Sequence, residues 1–207
     1  ASDVYKRQLL GRPYSKEALV YYAGLGEKVA SNQLHHDNVA PSILGGFVVV
    51  RSSDPLDAFN IPHPEDLHIV IVHPQVSIKT QEAKKMLGRE MSISNAVVQF
   101  GNIAGLVTGL NQKDYDLIGR SMVDVLAEPK RSTLIPRYGE VKQAMLDQGA
   151  IGANIAGSGP TIFAFCKGLE SAENVLKAAQ HVYAHSDLQV NYYISKINPE
   201  GAKVVKQ

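Results

Sequence analysis

The chain has 207 residues, of which 44% are hydrophobic and 20% charged, so it can bury the core of one large domain or two small ones. Its formal net charge of +1 gives no electrostatic basis for binding nucleic acid or an anionic membrane. Its single cysteine, Cys166, excludes an internal disulfide, fits a reducing cytosol and lies in an apolar run, where we expect it to fill the core. The sequence shows no apolar run that approaches a membrane span in length.

The first part of the chain predicts two helices and a strand. Ser15 is suited to cap the first helix, whose apolar positions follow a helical period. Pro41 is tolerated in the first turn of a helix, so the second helix is predicted to begin near Asn38 and to stop at the two glycines 45 and 46. The predicted elements are helix 16–32, helix 38–45, strand 47–50 and a loop rich in Pro, Asp and Ser over 52–66, with a domain boundary near residue 62.

The rest of the chain alternates strands with helices, which is typical of an α+β sandwich. Pro129 is predicted to end the third of its helices. The predicted elements are strand 68–72, helices 79–88, 93–110, 114–127 and 137–148, strands on both sides of the segment 154–160, helix 170–185 and strand 190–194.

A polar cluster at the start of the second predicted helix is the first candidate site. It consists of His35, His36, Asp37 and Asn38. Free N–H groups and the helix dipole favour anions there, so the cluster could orient a substrate with a carboxylate or a phosphate. Adjacent side chains point in different directions, so we do not expect them to bind one metal ion. The alternative is a helix cap made by Asp37 or Asn38, with partly exposed histidines.

A glycine-rich segment, Gly157-Ser158-Gly159-Pro160, is the second candidate. Glycines let backbone N–H groups turn toward a phosphate and form an anion-binding concavity. The alternative is a tight turn between two buried strands. The segment lacks the Gly-Lys-Ser/Thr ending of a Walker loop.

Two basic segments are further candidates. Arg131, in the segment 128–131, has the planar fork that recognises a carboxylate, and the segment 80–85 carries Lys84 near a predicted helix start. In both cases the alternative is solvated surface charge. Among the histidines, His181 and His185 have only weak zinc-like spacing, and we assign no role to His63, His68 and His73.

The order of these motifs identifies a resemblance that none of them carries alone. The motifs are His35-x-Asp37-Asn38-Val39-Ala40-Pro41, Lys79-Thr80-x-x-Ala83-Lys84, Glu128-Pro129-x-Arg131 with Leu134-Ile135-Pro136, and Gly152-Ala153-x-x-Ala156-Gly157-Ser158-Gly159-Pro160-Thr161. Over about residues 11–207 the chain resembles the homoserine kinase family. The glycine-rich segment is shared more widely, by the superfamily of galactokinase, mevalonate kinase and homoserine kinase.

The resemblance implies ATP-dependent phosphorylation of the L-homoserine hydroxyl in threonine biosynthesis, in the cytoplasm and with Mg²⁺. It implies an α+β, two-domain small-molecule kinase fold. By the same resemblance, residues 1–61 are expected to be the remnant of the N-terminal nucleotide-binding domain, and residues 62–207 to form a ferredoxin-like α/β sandwich. We interpret residues 1–8 as non-native. The implied partners are L-homoserine and ATP, without nucleic acid or membrane, and a homodimer is compatible with the resemblance.

The resemblance also assigns roles by position. Asn38 lies near the attacking hydroxyl, and Asp37 stands where some relatives keep a catalytic aspartate, either as a base or as a residue that shapes the site. Arg131 clamps the carboxylate of the amino acid. The implied substrate-binding residues are His35, Asn38, Thr80, Lys84 and Arg131, and the implied phosphate-side loop is Gly157, Ser158 and Gly159. No residue is assigned to a metal.

The chain departs from the family in two ways. Lys84 stands where the family leads us to expect an arginine, and a lysine lacks the planar fork. The superfamily's main phosphate loop, Pro-x-x-x-Gly-Leu-Gly-Ser-Ser, is not present, so we expect the 207 residues alone to be a truncated kinase with little activity. Two alternatives remain open: a sister kinase for mevalonate or shikimate, and a non-catalytic ferredoxin-like module that binds a small ligand or dimerises.

Overall fold

The structure is a computed structural model that describes residues 11, 14–31, 36–78, 85–88 and 90–203. Contacts divide the chain into two units, one containing the described residues up to 62 and from 197 onward, the other residues 63–196. The elements are α1 (Lys16–Ser31), α2 (His36–Leu44), β1 (Phe47–Ser53), β2 (Leu56–Ile61), β3 (Leu67–Pro74), α3 (Ile93–Gln112), α4 (Tyr115–Ser121), α5 (Glu128–Arg131), a 3₁₀ turn (Ser132–Leu134), α6 (Tyr138–Asp147), β4 (Gly152–Ile155), β5 (Ile162–Lys167), α7 (Gly168–Tyr183) and β6 (Val190–Lys196).

The first unit packs α1 and α2 against a hairpin. Val20 of α1 and Ala40 of α2 are fully buried in its core, and Ser15 accepts a hydrogen bond from the Ala18 N–H as the predicted cap. Residues from the chain end join this unit, since Gly46 N–H donates to the Asn198 carbonyl at 2.8 Å. Their place in the first unit differs from the prediction that they belong to the second domain.

The prediction of a loop over residues 52–66 is wrong, because this segment contains strand β2. The strand pairs antiparallel with β1, from Phe47 opposite Ile61 to Ser53 opposite Leu56. Leu56 and Ala58 pack on the buried core, which stabilises the strand although its neighbours are turn-forming residues.

The start of α2 also differs from the expectation. The helix begins at His36, so Pro41 is its sixth residue rather than part of the first turn. The missing N–H of Pro41 removes only the hydrogen bond to the carbonyl four residues earlier, that of Asp37. Because Asp37 lies in the first turn, only the start of the helix is weakened.

The second unit is a four-stranded antiparallel sheet in the order β4-β5-β3-β6. Helices α6 and α7 cover one face of it. Val70 and Ala164 from the sheet, and Val141 and Val175 from the two helices, are fully buried against one another. This arrangement confirms the predicted α+β architecture, and the bounds of α6 and α7 lie within two residues of those predicted.

Cys166 is a buried core residue, as its apolar neighbours predict. It is fully buried on β5, and burial raises the pKa of its thiol to about 11. Because only the thiolate reacts, we expect no labelling of the native protein by a disulfide reagent at pH 8 and complete labelling after unfolding in urea. Rapid stoichiometric labelling without denaturant would contradict this packing.

Helix α3 corrects the statement that no apolar run approaches a membrane span. Ile93–Gln112 is long enough and apolar enough to cross a membrane, and 11% of its most apolar 18-residue stretch is buried. A single helix of this kind is weak support for a membrane protein. Ser92 caps its start by accepting from the Asn95 N–H, and its final turn is buried at Gly109 and Leu110.

Candidate active site

Arg131 lies at the end of the short helix α5, which the sequence did not predict. The predicted helix 114–127 ends at Ser121, and Pro129 begins a helix instead of ending one. The carboxylate of Asp124 accounts for the change, because it accepts hydrogen bonds from the N–H groups of residues 126, 127 and 128 at 2.7, 2.9 and 3.2 Å. A carboxylate that accepts from N–H groups at the helix start and a proline in the first turn both favour a new helix at this point.

The half-buried Glu128 ties α5 to α6. Its Oε1 accepts from the Tyr138 hydroxyl at 2.8 Å and from the ammonium of Lys142, and the Glu128 side chain is only 15% exposed. Burial, followed by this hydrogen bond, raises the pKa of Tyr138 above its usual range. The tyrosine therefore remains a neutral donor at physiological pH, and α5 is held at a fixed place on the second unit.

The guanidinium of Arg131 contacts the glycine-rich loop. Its Nη1 donates to the Gly157 carbonyl at 2.7 Å. Its Nε is buried and has no hydrogen-bonding partner within the described part of the chain. Leaving a buried donor unpaired costs about 1–3 kcal/mol, so an additional acceptor at Nε would be stabilising. The edge of the guanidinium that contains Nε has the geometry to donate to both oxygens of a carboxylate.

The glycine-rich loop is a tight turn between β4 and β5. A turn between two strands is the alternative that the sequence analysis gives for this segment. Gly157 and Gly159 have φ of +57° and +79°, a region that glycine adopts without steric cost. The Gly159 N–H donates to the Ala156 carbonyl at 3.0 Å. A Cβ added at Gly157 would meet no atom within 4 Å, so one side of the turn is open for a ligand to approach.

His73 is a loop contact that sequence reasoning missed. Its Nδ1 lies 2.7 Å from the Thr161 hydroxyl, with which it shares a hydrogen bond. The pairing of β3 with β5 places Val72 opposite Ile162, which brings the next residue, His73, beside Thr161. No signal in the sequence relates two residues that are 88 positions apart.

The described residues of the polar cluster, 36–38, divide into exposed and buried side chains. Asp37 and Asn38 are exposed on the first turn of α2 in the first unit. His36 is 1% exposed, so the helix-cap alternative, which has partly exposed histidines, is wrong for this residue. It packs on Gly24 of α1, where an added Cβ would lie 2.0 Å from the His36 Nε2. Neither ring nitrogen has a partner among the residues that the structure describes.

Three predicted substrate-binding residues, His35, Thr80 and Lys84, lie outside the described residues, so their roles stay predictions. The second unit brings Arg131 and the loop 157–159 together, whereas Asp37 and Asn38 belong to the first unit. Within the described ranges, no three side chains of the His, Cys, Asp or Glu type are grouped to hold a metal ion.

The chain is similar to known kinases over nearly its whole length. A family model described as GHMP kinases C terminal matches residues 106–185. The homoserine kinase of Chlorobium phaeobacteroides (strain BS1) is 46% identical over 99% of this chain and 65% of its own length. The crystal structure of homoserine kinase from Cytophaga hutchinsonii has a TM-score of 0.94 and 44% identity, over 98% of this chain and 64% of that one. The chain thus spans just under two thirds of the length of these relatives.

Proposed function

Because the chain belongs to the GHMP kinase family, we propose that its protein is a homoserine kinase that transfers a phosphoryl group from ATP to the L-homoserine hydroxyl. The observation that carries the proposal is the 46% identity with a homoserine kinase over 99% of the chain. The product is O-phospho-L-homoserine, an intermediate of threonine biosynthesis. The cytoplasmic location and the homodimer stay predictions.

In this proposal Arg131 binds the carboxylate of homoserine. The buried Nε without a described partner supports this role, because a substrate carboxylate would supply the missing acceptor. The guanidinium would then use separate N–H groups for the substrate and for the Gly157 carbonyl. Substrate and loop would therefore be positioned by the same side chain.

We propose that Asn38 orients the attacking hydroxyl and that Asp37 either accepts its proton or shapes the site. The exposure of both side chains at the start of α2 is compatible with substrate contact. Phosphoryl transfer proceeds largely through positioning and charge stabilisation, so the proposal does not require a strong base. His35, Thr80 and Lys84 complete the proposed substrate contacts.

The loop 157–159 forms the phosphate side of the proposed site. Its open side at Gly157 would let backbone groups approach the phosphate closely. Mg²⁺ bound with ATP would neutralise part of the phosphate charge. The described residues offer no cluster of metal-binding side chains, and the proposal assigns the ion to none of them.

The product of the complete reading frame that encodes this chain should be assayed with ATP and a panel of L-homoserine, mevalonate and shikimate. We expect the highest kcat/KM for homoserine by at least an order of magnitude, since a site built to pair a substrate group rejects analogues that lack it. A preference for mevalonate or shikimate would favour a sister kinase. Unchanged activity in both Asn38→Ala and Arg131→Gln would favour a helix cap without a catalytic role.

A further inference from the structure

We propose that His73 is a positioning residue for the loop 157–159, acting through its hydrogen bond with Thr161. The proposal rests on the proposed phosphoryl transfer for its kinetic consequence. Its structural basis lies entirely in the second unit. It gives a role to a histidine to which the sequence pattern assigned none.

The hydrogen bond joins the end of one strand to the start of another. His73 is the penultimate residue of β3, and Thr161 directly precedes β5. The Nδ1 and Oγ1 atoms are 2.7 Å apart, and both residues are half-buried. Partial burial shields the bond from competing water, so it holds Thr161 more firmly than an exposed bond would.

The loop is thereby anchored at both ends by side chains. Arg131 binds the Gly157 carbonyl at the first end, and His73 binds Thr161 at the second. At the base of the turn, the Ala156 N–H donates to the Thr161 carbonyl at 2.8 Å, which closes the turn. Glycine-rich backbone has more conformational freedom than any other, so a catalytic loop of this composition depends on such anchors for a fixed geometry.

His68, near the other end of β3, makes a hydrogen bond of a different kind. Its Nδ1 lies 2.9 Å from the carbonyl of Asp66, only two residues away, and the residue is 7% exposed. This bond closes the start of the strand and contacts no part of the loop. The two histidines share a strand and a hydrogen-bonding nitrogen, so His68 is a matched control for an effect that depends on the loop.

The test compares His73→Leu and Thr161→Val with wild type in the product of the complete reading frame. Because each variant removes one hydrogen bond, we expect kcat/KM for ATP to fall about two- to tenfold with little change in the KM for homoserine. The double variant should lose no more than either single one, since both remove the same bond. His73→Asn places an amide nitrogen near the position of Nδ1 and should restore the rate, as should Thr161→Ser.

The control variants are His68→Leu and the milder His68→Asn, which we expect to lower stability while kcat/KM for ATP stays within twofold of wild type. Equal kinetic losses at His68 and His73, or losses that multiply in the double variant, would overturn the proposal.

A second readout does not depend on the substrate. Amide hydrogen exchange at Gly157 and Gly159 should accelerate in His73→Leu but not in the His68 variants. Unchanged exchange would refute the anchoring. If exchange accelerates while homoserine is not phosphorylated, the anchor stands and the proposed function fails.

Discussion

Replacing Arg131 with Gln is expected to lower kcat/KM for L-homoserine roughly 10- to 100-fold in the product of the complete reading frame. The expected loss corresponds to charge-assisted hydrogen bonds to a carboxylate, each contributing about 1.5–3 kcal/mol. Part of it comes from the bond to the Gly157 carbonyl, which fixes the loop. Steady-state kinetics with varied homoserine and varied ATP would separate the two contributions, because the carboxylate contribution appears with homoserine and the loop contribution with ATP.

Arg137→Gln is the matched control for this prediction. Arg137 also donates to a backbone carbonyl, that of Val182, but its other partner is the exposed Glu140. Exposed pairs contribute little, so we expect wild-type kinetics from this variant.

An acceptor without a carboxylate, such as L-homoserinol, should reduce the difference between wild type and Arg131→Gln to the loop contribution alone. An undiminished difference with homoserinol would contradict the assignment of Arg131 to the carboxylate.

Replacing Gly24 with Ala is expected to destabilise the protein by about 1–3 kcal/mol, the range for overpacking a core. Replacing Gly with Ala inside a helix usually stabilises a protein by up to about 1 kcal/mol, because Ala is the better helix former. The change in stability expected here has the opposite sign. The reason is steric, since the new Cβ would lie 2.0 Å from the Nε2 of the buried His36. Urea unfolding monitored by circular dichroism would measure the change.

Gly26→Ala is the control in the same helix. A Cβ at Gly26 would meet no atom within 4 Å, so this substitution should raise the free energy of unfolding by up to about 1 kcal/mol. His36→Ala should relieve the cost of Gly24→Ala, because the two residues are in contact and their effects are coupled. Equal effects of the two glycine substitutions would show that α2 does not pack on Gly24 in this way.

The packing of His36 on Gly24 bears on the proposed site because His36 is followed directly by Asp37 and Asn38. A displaced imidazole would shift the first turn of α2, which carries both polar side chains. We therefore expect Gly24→Ala to weaken homoserine binding as well as stability. The sequence presents Gly24 only as one glycine of a helical segment, and the need for glycine there comes from a side chain of the next helix.

Elements with a clear period could be predicted from the sequence. Helices α1, α6 and α7 were found to within two residues, because their apolar positions repeat at helical spacing and their surroundings agree with that pattern. Strand β2 was missed because its short alternation lies among turn-forming residues. Its stability comes from pairing with β1 and from packing, neither of which a local pattern contains.

The sequence by itself determined the α+β class, the helical periods and the residue types of the candidate site, including Arg131 and the glycine-rich segment. These follow from local patterns and from the order of motifs along the chain. Only the tertiary structure decided that Arg131 contacts the Gly157 carbonyl, that His36 is buried and that His73 holds Thr161. Each of these depends on where the folded backbone places atoms that are not fixed by local sequence, because hydrogen bonds and close packing act across space.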